Sequence, residues 1–416
     1  FVASVGVFRS HSRHSKWTDI ARRAARGMYA AEHDGGTDVV DGGGLTAFRR
    51  AEKRYKLHRT QIVRTRADGR RKGGALETRA VDLSAVVDTL DLESLARRPG
   101  TRVSVHGASS SESDVHGRTR PAAYAIDGHP GAVLVPNALS VDEQRDWVRT
   151  AVTEACEPPA RTNHDAALGP LKGLWREAHA RPARYARVPS TDDGADGERA
   201  TTNDDGGGGE RATRWRHISP EPTGGDPRVN LAATRLLEKM RWATIGPPYD
   251  WTARAYDTDA PRRPVNARWL ERCVHLAEAA GARDYAGEFA GLVNYYRAGD
   301  ALAGHVDDAE VDMSKPIVSV SLGCPCVFLL GGTSRDVAPT AVLMRSGDAV
   351  ALTGPSRRCY HGVPRIFVAG EGCVDGRGVE LGCPEWLGNP DAWPEEPDVA
   401  RYIAGGRVNV SVRVVD

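Results

Sequence analysis

The stretch Arg407-Val-Asn-Val-Ser-Val-Arg-Val414 alternates without a break. Val408, Val410, Val412 and Val414 fall on one face, and Arg407, Asn409, Ser411 and Arg413 on the other, which is the period-two pattern of a strand. Working back to Gly291, five more strand-like runs precede it: Leu292-Val293 with Asn294-Tyr-Tyr296, then Ile317 to Leu322, Val327 to Leu330, Ala341 to Met344 and Ala349 to Leu352. Gly, Pro and Asp clusters separate them, and no helical pattern intervenes. Many short strands in succession predict an antiparallel sandwich, jelly roll or barrel over residues 291–416.

The same stretch holds the densest chemistry. His305-Val-Asp307 sets two metal-ligand types at i and i+2, which on a strand share a face and can meet one ion. His361 follows several strands later, in Cys359-Tyr-His361-Gly362. Two imidazoles and a carboxylate make the facial triad of non-haem Fe(II) oxygenases, which leaves positions open for a bidentate 2-oxo acid and dioxygen. An HxD triplet also arises incidentally, so the surrounding pattern matters. Two guanidinium groups on one buried strand face require an anion, and arginine forks bind carboxylates in a bidentate way. A dicarboxylate cosubstrate would satisfy Arg407 and Arg413; the alternative is a strand with its charges turned to solvent.

Upstream, the chain is divided by composition. Residues 1–98 read as a basic, partly helical extension, with a short helix expected around Ile20 to Ala25. Eleven Lys and Arg lie between Arg49 and Lys72, against only Glu52 and Asp68, which suits a phosphate-binding arm, a solvated face or a nuclear-import patch. Residues 99–128, with Ser109 to Ser111 in a row, read as a linker. Residues 129–290 open with an apolar run, Ala132 to Val135, and a capping box by type, Ser140-Val-Asp-Glu143, before Trp147, Val148 and Val152 at helical spacing. Leu270, Val274, Leu276 and Ala277 predict a second helix. Between them, about 188–213, an acidic Gly-rich insert lacks the apolar residues to build a core. A net charge of +1 over 416 residues excludes a globally polybasic protein. Seven cysteines without a CxxC pair argue against a disulfide framework and for a reducing, intracellular compartment. The opening residues, with Arg9, Ser10, Ser12, Arg13 and Ser15, fit either an Arg/Ser-rich transit segment or an untargeted terminus, so nucleus and mitochondrion both stay open.

Taken together, Asn294-Tyr-Tyr296, His305-Val-Asp307, Arg335, Gly347-Asp348, Ser356-Arg357, His361-Gly362 and Arg407-Val-Asn409 to Arg413 resemble, in order and context, the AlkB family of Fe(II)/2-oxoglutarate dioxygenases. The longer strings Asn294 to Val306, Ser314 to Ser321 and Phe328 to Gly332 are most similar to the AlkB homologue one branch. The resemblance covers about Ala132 to Asp416. It implies an α+β fold: a double-stranded β-helix (jelly roll) with a helical N-terminal extension and a nucleotide-recognition lid. It implies His305, Asp307 and His361 as Fe(II) ligands. Asn294, Tyr296, Arg407, Asn409 and Arg413 would hold 2-oxoglutarate, with Arg407 on the distal carboxylate. Trp251, Tyr256 and Arg335 would meet the substrate base. Ala309 stands where the bacterial member has an acidic base-reading residue, so base specificity does not transfer.

The implied reaction is oxidative demethylation of a methylated base, consuming O2 and 2-oxoglutarate and releasing succinate, CO2 and formaldehyde. The base would be N6-methyladenine in DNA, or N1-methyladenine or 5-methylcytosine in tRNA, taken unpaired or flipped. The expected partner is therefore nucleic acid, without a membrane, and the expected state a monomer. A 2-oxoglutarate oxygenase acting on a protein such as a histone, and a non-catalytic nucleic-acid binding protein, are the alternatives.

Overall fold

Alternation of valine with polar residues sorts the strands into layers. A computed structural model describes residues 44–57, 81–106, 121–179, 232–250, 253 and 255–416, with the backbone alone of 59–65, 71–78, 180, 184–188, 214–218 and 230–231. Among the described residues, thirteen strands build the two sheets of the core: β1 (Val87–Asp88), β2 (Val103–Val105), β3 (Tyr124–Ile126), β4 (Ala132–Val135), β5 (Trp242–Ile245), β6 (Phe289–Arg297), β7 (Leu302–His305), β8 (Ile317–Gly323), β9 (Cys326–Leu330), β10 (Thr340–Met344), β11 (Ala349–Leu352), β12 (His361–Ile366) and β13 (Gly406–Val414). The larger sheet runs β5-β6-β13-β8-β11-β4-β3-β2 and the smaller β7-β12-β9-β10-β1. All pairings are antiparallel except β10 with β1. The helices that matter here are α1 (Ala47–Tyr55), α2 (Val141–Thr153), α3 (Ala267–Ala279) and α4 (Pro397–Ala404).

The two sheets face each other, as in a jelly roll. Between them, Leu134, Val350 and Leu352 of the larger sheet pack with Phe328, Leu330 and Val342 of the smaller. The outer face of the larger sheet carries the valines of β13, covered by Trp147 of α2, Trp269 and Leu276 of α3 and Ile403 of α4. The Trp147 and Trp269 rings lie 5.2 Å apart. Helix α2 starts where the sequence places it: the Ser140 hydroxyl accepts from the Glu143 N–H and the Glu143 carboxylate from the Ser140 N–H. Outside the smaller sheet, Phe48 and Tyr55 of α1 pack on Val327, Leu329 and Leu343. Phe48 is fully buried, and burying such a ring is worth about 1.5–3 kcal/mol. It presses on two glycines; a Cβ on Gly304 would lie 2.3 Å from its ring, and one on Gly331 2.9 Å.

The sequence boundaries need correction. The range 99–128 is not only a linker, because β2 and β3 lie within it and extend the larger sheet beyond β4. Nor does the sheet core begin at 291: β1 to β5 precede it. Residues 1–98 are not wholly separate either, since α1 and β1 pack onto the smaller sheet. These strands run two to four residues, too short for alternation to register. The expected helix near Ile20, the serines Ser109 to Ser111, the insert between 189 and 213 and the side chains from Arg59 to Lys72 lie outside the described residues. Among the described residues no helix is long and apolar enough to cross a membrane.

Candidate active site

His305 ends β7 and His361 begins β12, and these two residues pair directly across the ladder. Their rings stand 4.4 Å apart. Asp307 is not on the strand, as the i, i+2 spacing suggested. It lies just past the strand end, where Arg357 Nη1 donates to its carbonyl at 3.0 Å. Its carboxylate still reaches both rings: Oδ1 is 3.8 Å from His305 Nε2 and Oδ2 3.6 Å from His361 Nε2. One donor atom from each of the three lies within 4.8 Å of the others. One ion with ligand bonds of about 2.0–2.2 Å spans such separations.

The opposite ring nitrogens set the tautomers. His305 Nδ1 lies 3.0 Å from the Ala303 carbonyl and His361 Nδ1 3.3 Å from that of Cys359. Carbonyls only accept, so each Nδ1 carries the proton and each Nε2 offers its lone pair inward. Burial, then the neighbouring His361, push His305 down to about 4, so its imidazole is neutral near pH 7. Burial pushes the Asp307 carboxyl up, but Arg413, with His361, outweighs it and holds the group well below the usual range. Two imidazole nitrogens and an ionised carboxylate, with no thiolate among them, suit a hard or borderline divalent ion such as Fe(II).

A cavity of about 290 Å³ opens from these three residues between the sheets. Asn294, Tyr296, Arg407, Asn409 and Arg413 all line it. Register explains the grouping: Asn294 pairs with Asn409 and Tyr296 with Arg407 across β6 and β13. Arg407 is buried, and its Nη2 donates to Ser321 Oγ at 2.9 Å. Its Nε and Nη1 and the Tyr296 hydroxyl have no hydrogen-bond partner among the described residues. Burial pushes the Tyr296 phenol up to about 12, Arg407 opposing, so it remains a donor. Unpaired buried donors at one end of a cavity are costly unless an anion accepts from them.

Arg413 differs, because it is already paired. Nη1 lies 3.2 Å from Asp307 Oδ1 and 3.1 Å from Glu310 Oε1, and Nη2 donates to Ser411 Oγ at 2.8 Å. Glu310 is the member that sequence reasoning missed. It is buried, and its Oε2 meets Arg357 Nη2 at 2.9 Å. Arg357 also donates from Nε to the Lys315 carbonyl at 2.8 Å, so it clamps the whole segment from Asp307 to Lys315. In Asp307-Asp-Ala-Glu310-Val-Asp312, nothing but burial distinguishes Glu310 from a solvated acidic run.

The substrate-side expectations divide. Tyr256 lines the cavity on a two-strand hairpin, Tyr249–Asp250 with Ala255–Tyr256, and its hydroxyl donates to Glu310 Oε1 at 3.3 Å. Tyr249, not singled out from sequence, lines it too, with its ring 5.2 Å from that of Tyr256. Trp251 lies outside the described residues. Arg335 is not brought into the cavity: its Nη2 donates to the Gly304 carbonyl at 2.5 Å and its guanidinium sits over the Tyr360 ring at 4.8 Å. It is drawn there by a carbonyl of β7 and the aromatic face of Tyr360.

A family model described as the 2OG-Fe(II) oxygenase superfamily matches residues 210–413. "DNA N(6)-methyladenine demethylase ALKBH1A" of Arabidopsis thaliana is 33% identical over 382 residues, covering 91% of this chain and 98% of that protein. "Nucleic acid dioxygenase ALKBH1" of Mus musculus is 31% identical over 353 residues, 80% of this chain and 79% of that one. "tRNA demethylase abh1" of Schizosaccharomyces pombe is 38% identical over 140 residues, 33% of this chain and 46% of that one. Likeness at this level along nearly the whole Arabidopsis protein makes this chain a member of the AlkB family of iron(II)- and 2-oxoglutarate-dependent dioxygenases.

Proposed function

We propose that the chain removes methyl groups from bases in nucleic acid by oxidation, using Fe(II), 2-oxoglutarate and O2. The observation that carries this is one cavity in which the His305, Asp307 and His361 donors converge and the unpaired donors of Arg407 and Tyr296 wait for an anion. In this reading the trio holds the iron, whose chemistry is to activate O2 against a methyl C–H bond at the expense of 2-oxoglutarate. Arg407 and Tyr296 take the distal carboxylate. Asn294, Asn409 and Arg413 lie along the rest of the cosubstrate, and Arg413 also keeps Asp307 ionised and aimed. The Tyr249–Tyr256 hairpin acts as a lid whose aromatic rings offer stacking faces to a base.

The names of the relatives divide between N6-methyladenine in DNA and tRNA, and both remain within the reading for this chain. The reacting atoms lie between the sheets, so a stacked base cannot reach them and must first leave the helix. The basic face of α1 and the residues up to Lys72 add phosphate contacts, with affinity falling as salt rises. The test places one methyladenine in single-stranded, bulged and fully paired oligonucleotides of the same sequence and follows formaldehyde and succinate. Faster turnover in the first two is expected. Equal rates in all three refute base flipping, and turnover of methylated peptides alone would reassign the substrate to protein.

A further inference from the structure

Gly304, the residue before the first histidine, is held from outside its own sheet. Strand β7 pairs with β12 at Leu302–Val363 and at His305–His361, with a break in register between them. A register break removes backbone groups from the ladder, and buried ones must then find other partners. Two side chains supply them. Glu52 of α1, only 6% exposed, accepts the Gly304 N–H through Oε1 at 2.6 Å. Arg335 donates to the Gly304 carbonyl at 2.5 Å. The other histidine is supported from the same side. Tyr360, just before His361, lies 6.2 Å from the Phe48 ring and beneath the Arg335 guanidinium. Phe48 N–H in turn donates to the Arg335 carbonyl at 2.8 Å. A helix some 250 residues earlier in the chain therefore braces the residue preceding each histidine.

We propose that Glu52 is a positioning residue of the metal centre. Its carboxylate fixes the Gly304 peptide, and so the direction in which the His305 side chain leaves β7. The second carboxylate oxygen is held by Arg49 Nη1 at 3.0 Å, which aims the first at the N–H. A charged acceptor holds a peptide N–H more firmly than a neutral one. The inference rests on the metal centre proposed above and concerns only how its first ligand is aimed.

The test titrates the full chain with Co(II), followed by its visible absorption, which reports ligand geometry, with thermal melting alongside. Glu52→Ala should weaken Co(II) binding about tenfold, as loss of a group supporting a ligand does, and change the absorption envelope. Glu52→Asp, too short to reach Gly304, should behave like Glu52→Ala. Glu52→Gln keeps an acceptor oxygen and should recover most of the binding. A merely structural role would lower melting in all three without separating Gln from Asp in the spectrum. Wild-type binding by Glu52→Ala overturns the positioning role, as does a Gln variant no better than the Asp variant; should Glu52→Ala not fold, the Gln and Asp pair decides. A wild-type chain that binds no Co(II), or that binds it unchanged after His305→Ala, overturns the metal centre itself and this inference with it.

Discussion

At the residue scale, Arg407 combines burial with unused donors. Its Nε and Nη1 have no hydrogen-bond partner among the described residues, and Tyr296 lies against it with its hydroxyl likewise unmet. Arg407→Ala should therefore raise the 2-oxoglutarate requirement by more than about a hundredfold, roughly 3 kcal/mol, measured as succinate formed against cosubstrate concentration. An unchanged requirement would place the cosubstrate elsewhere in the cavity. This residue was legible because its strand alternates so regularly that the polar face stands out. Glu310 was not legible, since its neighbours Asp307, Asp308 and Asp312 share its charge and only the fold buries it. Arg335 donates to the Gly304 carbonyl and does not line the cavity, a contact that its sequence neighbourhood does not announce.

At the scale of elements, the segment between β7 and β8 owes its shape to Arg357. One guanidinium meets Glu310 and two backbone carbonyls, those of Asp307 and Lys315. Arg357→Ala leaves Glu310 half-paired in a buried site, which should cost about 3–5 kcal/mol of stability. Chemical denaturation with bound Co(II) and without it measures this, and the loss should be accompanied by weaker metal binding because Asp307 loses its anchor. A variant as stable as the wild type would show that Arg413 and Tyr256 hold the segment without Arg357. Elements were legible in proportion to their length and regularity. Strand β13 and helices α2 and α3 follow their patterns. Strand β7, four residues containing Gly304 and broken in register, offers no pattern, although it carries His305. Helix α1 was hidden by its own charge, because its apolar contribution is little more than Phe48 and Tyr55.

At the scale of the whole molecule, Asp348 ties three distant parts of the chain together. It accepts from Thr89 Oγ1 at 2.6 Å, from the Asn137 N–H at 3.0 Å and from the Arg345 N–H at 2.7 Å. Burial outweighs these bonds and lifts its carboxyl from 3.8 to about 6. A raised folded-state value means that the folded chain binds this proton more tightly than the unfolded one. The resulting stabilisation is complete below about pH 4 and is lost as pH rises through about 6, a change on the order of 3 kcal/mol. Urea midpoints for the wild type and Asp348→Asn should therefore draw apart in slope between those two values, and parallel curves would refute the shift. The extension of the larger sheet by β2 and β3 carries a practical consequence as well. A chain trimmed to begin at residue 129 would lose both strands and leave β4, an entirely apolar Ala132-Val-Leu-Val135, as a bare sheet margin. Such margins recruit strands from other molecules, so the trimmed protein would be prone to aggregate even with every residue of its catalytic cavity intact.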